Sequence, residues 1–301
     1  MNIFLSILTN TILPTLLIAG VGFVLARTLH PDRRSLTQVI MNVLIPCLVF
    51  QNLTQSNIPL SDFGRMAFFA IVVVAISAGV VLVISAILRL NHVITTTFML
   101  MVMFSNVGNM GLPVITLAFG PEALTYGTVY FVVNNLLLYT VGTLIASSGR
   151  EPFARALGRV LRMPVIYGVL AAGIFQLFHL QLPDPVSTAV GMVARAAIPI
   201  MLLMLGMQLH SAGFKITRLV GLGALTRLVL VPGAAFLVNG LIGLSGPALQ
   251  AGMLEAAMPS GVMASMFAAE YDIEPEFAAN MVLLTTLFSP LTLTILISFL
   301  H

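Results

Sequence analysis

Phe104-Ser105-Asn106-Val107-Gly108-Asn109-Met110-Gly111-Leu112-Pro113 sets two Asn, two Gly and a Pro at the centre of an otherwise apolar run, Val93 to Phe119. A continuous helix fits this stretch poorly. Gly tolerates irregular backbone, Pro removes an N–H donor, and an Asn side chain can replace a missing backbone partner. Met258-Pro259-Ser260-Gly261 interrupts a second apolar run, Ala248 to Ala269, in the same manner. Broken backbone at membrane depth persists only where it is buried in protein or lines a polar cavity. The two breaks therefore mark a candidate binding site.

The rest of the chain puts these breaks in a membrane. Of 301 residues, 59% are apolar and 8% are Asp, Glu, Lys or Arg, against about 45–50% and about 25% in soluble domains. A water-soluble fold is excluded. With ~20 apolar residues needed per helical crossing, the apolar runs give ten spans: Ile3 to Ala26, Leu36 to Leu53, Phe63 to Leu88, Val93 to Phe119, Ala123 to Ile145, Met163 to Phe178, Val186 to Leu209, Leu219 to Leu241, Ala248 to Ala269 and Phe277 to Leu300. The fold expected is an all-α polytopic membrane protein.

The 13 basic residues against 10 acidic ones give a pI near 9.4. That value reflects a nearly uncharged chain, not a basic nucleic-acid face. Arg27, Arg33, Arg34, Arg89, Arg150, Arg155, Arg159, Arg162, Lys215 and Arg218 fall in one set of alternate loops, and only Arg65 in the other. Basic loops stay cytoplasmic, so both termini are expected outside. The Arg-rich stretch from Gly149 to Arg162 becomes a cytoplasmic connector. No basic residue precedes Arg27, which fits a first membrane helix better than a cleavable signal. The single cysteine, Cys47, rules out an intramolecular disulfide and a Cys cluster for metal.

Five spans on each side of the connector make the halves inverted in topology. Pro46 and Pro199 lie 153 residues apart, and Pro121-Glu122 and Pro275-Glu276 lie 154 apart. At that offset Ser105-Asn106 falls on Pro259-Ser260. The organisation expected is residues 1–148 as a first five-helix repeat, 149–162 as the connector and 163–301 as a second repeat.

Each half-helix that begins after a break turns its free N–H groups inward, equivalent to about half a positive charge. Two such ends near the midplane favour a carboxylate, while the carbonyl ends of the preceding half-helices could accept a cation or proton donor. Ser105, Asn106, Gly108, Asn109, Pro259, Ser260 and Gly261 are the candidate substrate-binding residues. The alternative is a pair of kinked helices held by local Ser and Asn contacts.

Three ionisable residues sit within spans: Arg195, Arg227 and Glu255. Each costs about 2.5–3.5 kcal/mol at a helix centre unless paired or hydrated. Glu255, four residues before Pro259, shares a face with the break and is a candidate proton carrier. A structural pair with Arg195 or Arg227 is the alternative, and Arg227 could also snorkel to an interface. Arg195 precedes Pro199 by four residues, as Asn42 precedes Pro46, and is read either as a substrate counter-charge or as scaffold. Asn42, Asn134 and Asn135 are second-tier candidates. The acids Glu270, Asp272, Glu274 and Glu276 read as a solvated loop.

Ser105 to Val114, Arg195-Ala196-Ala197-Ile198-Pro199 ahead of Leu203-Met204-Leu205-Gly206-Met207, and Met258-Pro259-Ser260 followed by Ala268-Ala269-Glu270-Tyr271 resemble the auxin efflux carrier family over nearly the whole chain. In that likeness Ser105-Asn106 occupies the place of a Pro-Asn pair, with Ser replacing Pro. The resemblance implies crossed, broken helices four and nine in a transport domain of helices 3–5 and 8–10. It also implies a scaffold of helices 1, 2, 6 and 7, often at a dimer interface, as in the wider bile acid, arsenite and riboflavin transporter superfamily. The long hydrophilic central loop of many plant relatives is missing. A bacterial-type carrier of an organic acid is the expectation, with malate or malonate plausible by resemblance only.

No His-Glu-x-x-His pair, Cys cluster or phosphate-cradling glycine loop occurs, and the five His lie near span ends. Neither break serine has a His at comparable depth to form a nucleophilic pair. The function expected is secondary transport of a small organic anion by alternating access, by a homodimer without cofactor, coupled to protons or sodium if at all. A channel-like anion pore and a membrane enzyme or receptor are the alternatives.

Overall fold

The computed structural model describes residues 3–56, 58–148, 152–210 and 215–301, and among these it is helical, with a single isolated β-bridge. The helices are α1 (Phe4–Thr28), α2 (Arg33–Thr54), α3 (Ser61–Leu88), α4 (His92–Met103), α5 (Val107–Ala146), α6 (Phe153–Leu161), α7 (Pro164–Leu177), α8 (Asp184–Leu209), α9 (Arg218–Ile242), α10 (Gly246–Ala257), α11 (Val262–Glu270) and α12 (Pro275–Leu300). Their starts follow local chemistry. Asp32 accepts from the Arg34 and Ser35 N–H groups, Asn91 from Ile94, and Thr217 from Val220, each satisfying donors that a first helical turn leaves free. Proline supplies the first or second helical position of α7, α8, α10 and α12.

Seven of these helices, α1, α2, α3, α5, α8, α9 and α12, are long and apolar enough to cross a membrane. The pair α6 and α7, bent by 64° at Arg162, makes an eighth if taken as one span. The ten spans read from the sequence divide the chain more finely, and the difference has a local cause. Forty residues of α5 count as one helix although Gly120 has φ 80° and ψ −166°, a conformation open to Gly and outside any helix. Pro121-Glu122 follows that break, and Pro275-Glu276 likewise follows Glu274 at φ 45°, so the two Pro-Glu landmarks carry the same backbone punctuation. The runs around the two breaks are divided into α4 with the start of α5, and α10 with α11, each piece too short to span alone. Part of the Arg-rich connector forms α6, while its Gly149 and Arg150 lie outside the described residues.

Of the five π-helical turns among the described residues, Leu8–Ile12, Ile40–Leu44, Val107–Gly111 and Thr226–Leu230 are each followed two residues later by a proline, Pro14, Pro46, Pro113 and Pro232, while Leu138–Gly142 is not. A proline ring collides with the carbonyl four residues back and offers no N–H to it, and widening the preceding turn relieves both problems. Pro199, the sequence partner of Pro46, sits inside α8 without such a turn.

The helices pack in two groups that meet where α8 and α2 touch α5 and where α1 touches α12. α8 lies along α1 and α2, and α7 packs on α2; α10 packs on α5, α3 on α4 and α5, α9 on α3 and α12, and α11 on α12. The α1–α8 contact is backbone to backbone: a methyl group on Gly22 would strike the Leu203 carbonyl, and one on Gly206 the Ala19 carbonyl. Gly206→Val is expected to cost about 3 kcal/mol or more by overpacking, seen as a lowered unfolding midpoint of the purified protein. A wild-type midpoint would contradict the close approach. The outward faces carry large apolar side chains, with Leu241 90% and Phe299 83% exposed, as expected of an integral membrane protein solvated by lipid.

Candidate functional site

The two interrupted segments meet. Ser105 and Ser260 form an antiparallel bridge in which the Asn106 N–H donates to the Pro259 carbonyl and the Gly261 N–H to the Phe104 carbonyl, both at 2.8 Å. The side chains repeat the reciprocity. The Ser105 hydroxyl donates to the Glu255 carbonyl at 3.2 Å and the Ser260 hydroxyl to the Met101 carbonyl at 2.8 Å. Each break thus satisfies carbonyls at the end of the other's preceding helix, α10 or α4, which would otherwise be left without partners inside the membrane.

Arg227 completes this. Its side chain is 1% exposed, and its guanidinium donates to the Met258 carbonyl at 2.8 Å, the Ala256 carbonyl at 2.9 Å and the Val102 carbonyl at 3.0 Å. The two readings offered for it from sequence, snorkelling to an interface and pairing with Glu255, are both corrected. Its partners are backbone oxygens of two helix ends, and among the described residues Glu255 has no basic group within 4.0 Å.

Beside the bridge, the starts of α5 and α11 face a small cavity of about 30 Å³. Ser105, Asn106, Gly108, Asn109 and Gly261 line it, together with Asn134 and Asn135 from the later part of α5. Among the described residues, the Nδ2 groups of Asn106 and Asn134 are buried and have no hydrogen-bond partner. Those of Asn135 and Asn109 are engaged, with the Phe131 carbonyl at 2.8 Å and Gln208 Oε1 at 3.4 Å. The cavity thus combines two helix N-termini with two unspent amide donors.

Several sequence candidates lie elsewhere. Pro259 and Ser260 serve the bridge and do not line the cavity; the Ser260 N–H donates to Thr285 Oγ1 at 3.1 Å. Asn42 is exposed and donates to the Gln38 carbonyl, although its neighbour Met41 does line the cavity. Arg195 is exposed on α8, its guanidinium beside Gly191 and close to Gln51. It lies near the middle of α8, as expected, but does not line the cavity, and of its two readings this placement favours the scaffold one. Glu255 is 0% exposed and does not line the cavity; its carboxylate lies against Gly111 and Gly127, where a methyl group on Gly111 would strike it. Neither carboxylate oxygen has a hydrogen-bond partner. In the acidic loop, Glu276 pairs with Lys215 at 3.1 Å, while Glu270, Asp272 and Glu274 are exposed.

The profile of the membrane transport protein family matches residues 7–156 and 154–297. The chain belongs to this family. Membership agrees with the auxin efflux carrier resemblance and with a transporter in place of an enzyme. Among similar proteins of the family, an "Uncharacterized transporter" of Methanothermobacter thermautotrophicus is 25% identical over 95% of this chain and 96% of its own length. A "Putative malonate transporter" of Rhizobium meliloti is 26% identical over 95% of this chain and 94% of its own length.

Sequence reasoning missed Met41, Phe131, Leu138, Val262, Met263 and Ala264 as cavity walls, because apolar residues in apolar spans carry no local mark. Gly111 and Gly127 were legible as glycines but not as the walls around Glu255.

Proposed function

We propose that this family member is a secondary transporter that carries a small organic anion, a carboxylate, by alternating access, binding it in the cavity beside the bridge. The observation that carries this reading is the pairing of two helix N-termini with the unpartnered Asn106 and Asn134 amides. A buried donor without a partner costs about 1–3 kcal/mol, and an anion among two helix starts recovers it with charge-assisted hydrogen bonds. The relative named for malonate makes a dicarboxylate the first substrate to try.

In this reading the chain crosses the membrane ten times. The short pairs around the breaks count as spans four and nine, α5 divides at Gly120, and α7 counts as span six. Residues 1–148 and 163–301 are then inverted five-helix repeats joined by the 149–162 connector, a relation supported by the reciprocal Ser105 and Ser260 hydrogen bonds. Spans 1, 2, 6 and 7 form the scaffold and spans 3–5 and 8–10 the moving domain, in keeping with the two packing sets. The basic loops put both termini outside an inner membrane. A homodimer through the scaffold gives the exposed Arg195 a polar neighbourhood in place of lipid.

Saturable counterflow of malonate in proteoliposomes tests the proposal. Exchange accelerated by internal substrate is expected. Conductance far above carrier rates points to a pore, and product formation without net movement to an enzyme; either overturns it.

A further inference from the structure

Two helices, α4 and α10, end at the crossing with their carbonyls turned inward, and each twelve-residue helix carries about half a negative charge at its C-terminus. Their sum is close to one charge, buried far from water. One group answers it. The Arg227 guanidinium, 1% exposed, spends three N–H donors on Met258, Ala256 and Val102, so that one positive charge bridges both helix ends. In broken-helix transporters such inward carbonyl ends are where a coupling cation is held.

We propose that Arg227 is a resident cation that fills this position permanently, so that the crossing keeps its shape and binds its anion without sodium or any other metal ion. The remaining inward carbonyls leave little for a metal: Met101 and Glu255 accept from the serine hydroxyls, and Phe104 and Pro259 from the bridge N–H groups. A sodium ion entering here would have to displace a charge of its own sign. Arg227 acts on the substrate through position, holding the two breaks together so that the starts of α5 and α11 stay aimed at the cavity. Any ion coupling then falls to the proton and to Glu255. The sodium-independence of transport rests on the anion-carrier reading above; the structural role of Arg227 does not.

The test combines two measurements on the full-length protein. The unfolding midpoint of purified wild type is expected to be the same in sodium chloride and choline chloride, and malonate uptake to change less than about twofold between them. In Arg227→Ala, the midpoint is expected to drop by about 10 °C for the loss of three charge-assisted hydrogen bonds. Millimolar guanidinium should recover part of that drop, and tetramethylammonium none. Should Arg227→Ala not accumulate, Arg227→Lys, which keeps the charge but not the fork, is expected to fold with a lower midpoint still indifferent to sodium. A wild-type midpoint or uptake that rises about tenfold or by several degrees with sodium, or a variant with wild-type stability, overturns the proposal. Absence of malonate uptake in every ionic condition removes the substrate reading alone, because the melting comparison still decides the role of Arg227.

Discussion

Asn106→Ala is expected to reduce malonate uptake by about 10- to 100-fold, the loss of one hydrogen bond to a charged acceptor, while the protein inserts and folds as wild type. The separation follows from which part of Asn106 does what. Its backbone N–H holds the bridge to Pro259 and survives the substitution, whereas its side-chain Nδ2, buried without a partner, is removed. Truncating an unsatisfied buried amide costs the fold little, so stability stays level or rises slightly. Asn134→Ala is the companion, and Pro259→Ala, which lets the broken segment continue as helix, is expected to abolish uptake by undoing the bridge. Wild-type uptake in both Asn106→Ala and Pro259→Ala would remove the site assignment.

Glu255→Gln is expected to free flux from the pH gradient while exchange at equal pH on both sides continues. With one proton moved per anion, a gradient of ~1 pH unit supports about tenfold accumulation, since a tenfold ratio is ~1.4 kcal/mol. The variant should show none. The geometry makes Glu255 distinctive: among the described residues it is a carboxyl at 0% exposure without hydrogen bond or basic group within 4.0 Å, lying between Gly111 near the start of α5 and Gly127 beyond the Gly120 break. Movement of α5 on anion binding is therefore felt directly by the carboxyl. Proteoliposomes with opposed pH gradients provide the measurement, and an unchanged pH dependence reassigns Glu255 to structure.

What could be read from sequence divides along a physical line. Backbone-breaking residues announce themselves, so the interruptions at Ser105-Asn106 and Pro259-Ser260 and the membrane class were legible. Contacts across the bundle were not. The Arg227 bonds span 31, 29 and 125 residues, and nothing in the apolar stretch around Arg227 tells an inward arginine from a snorkelling one. For Arg195 the sequence left two readings open, counter-charge or scaffold, because sharing a face with Pro199 does not say whether that face looks toward the cavity. Spacing also overcounted the site. Pro259 and Ser260 stand at the break, but their polar atoms are consumed by Asn106, Met101 and Thr285, leaving the lining of the cavity to the residues that follow.

The anion site itself is tested most directly by the thermal stability of the purified protein across a panel of mono- and dicarboxylates, each set against its neutral amide. At least one carboxylate is predicted to raise the unfolding midpoint by several degrees, its amide to leave it unchanged, and Asn106→Ala to abolish the effect. Equal stabilisation by the neutral amides, or the same carboxylate shift in Asn106→Ala, would contradict an anion held between the two helix starts.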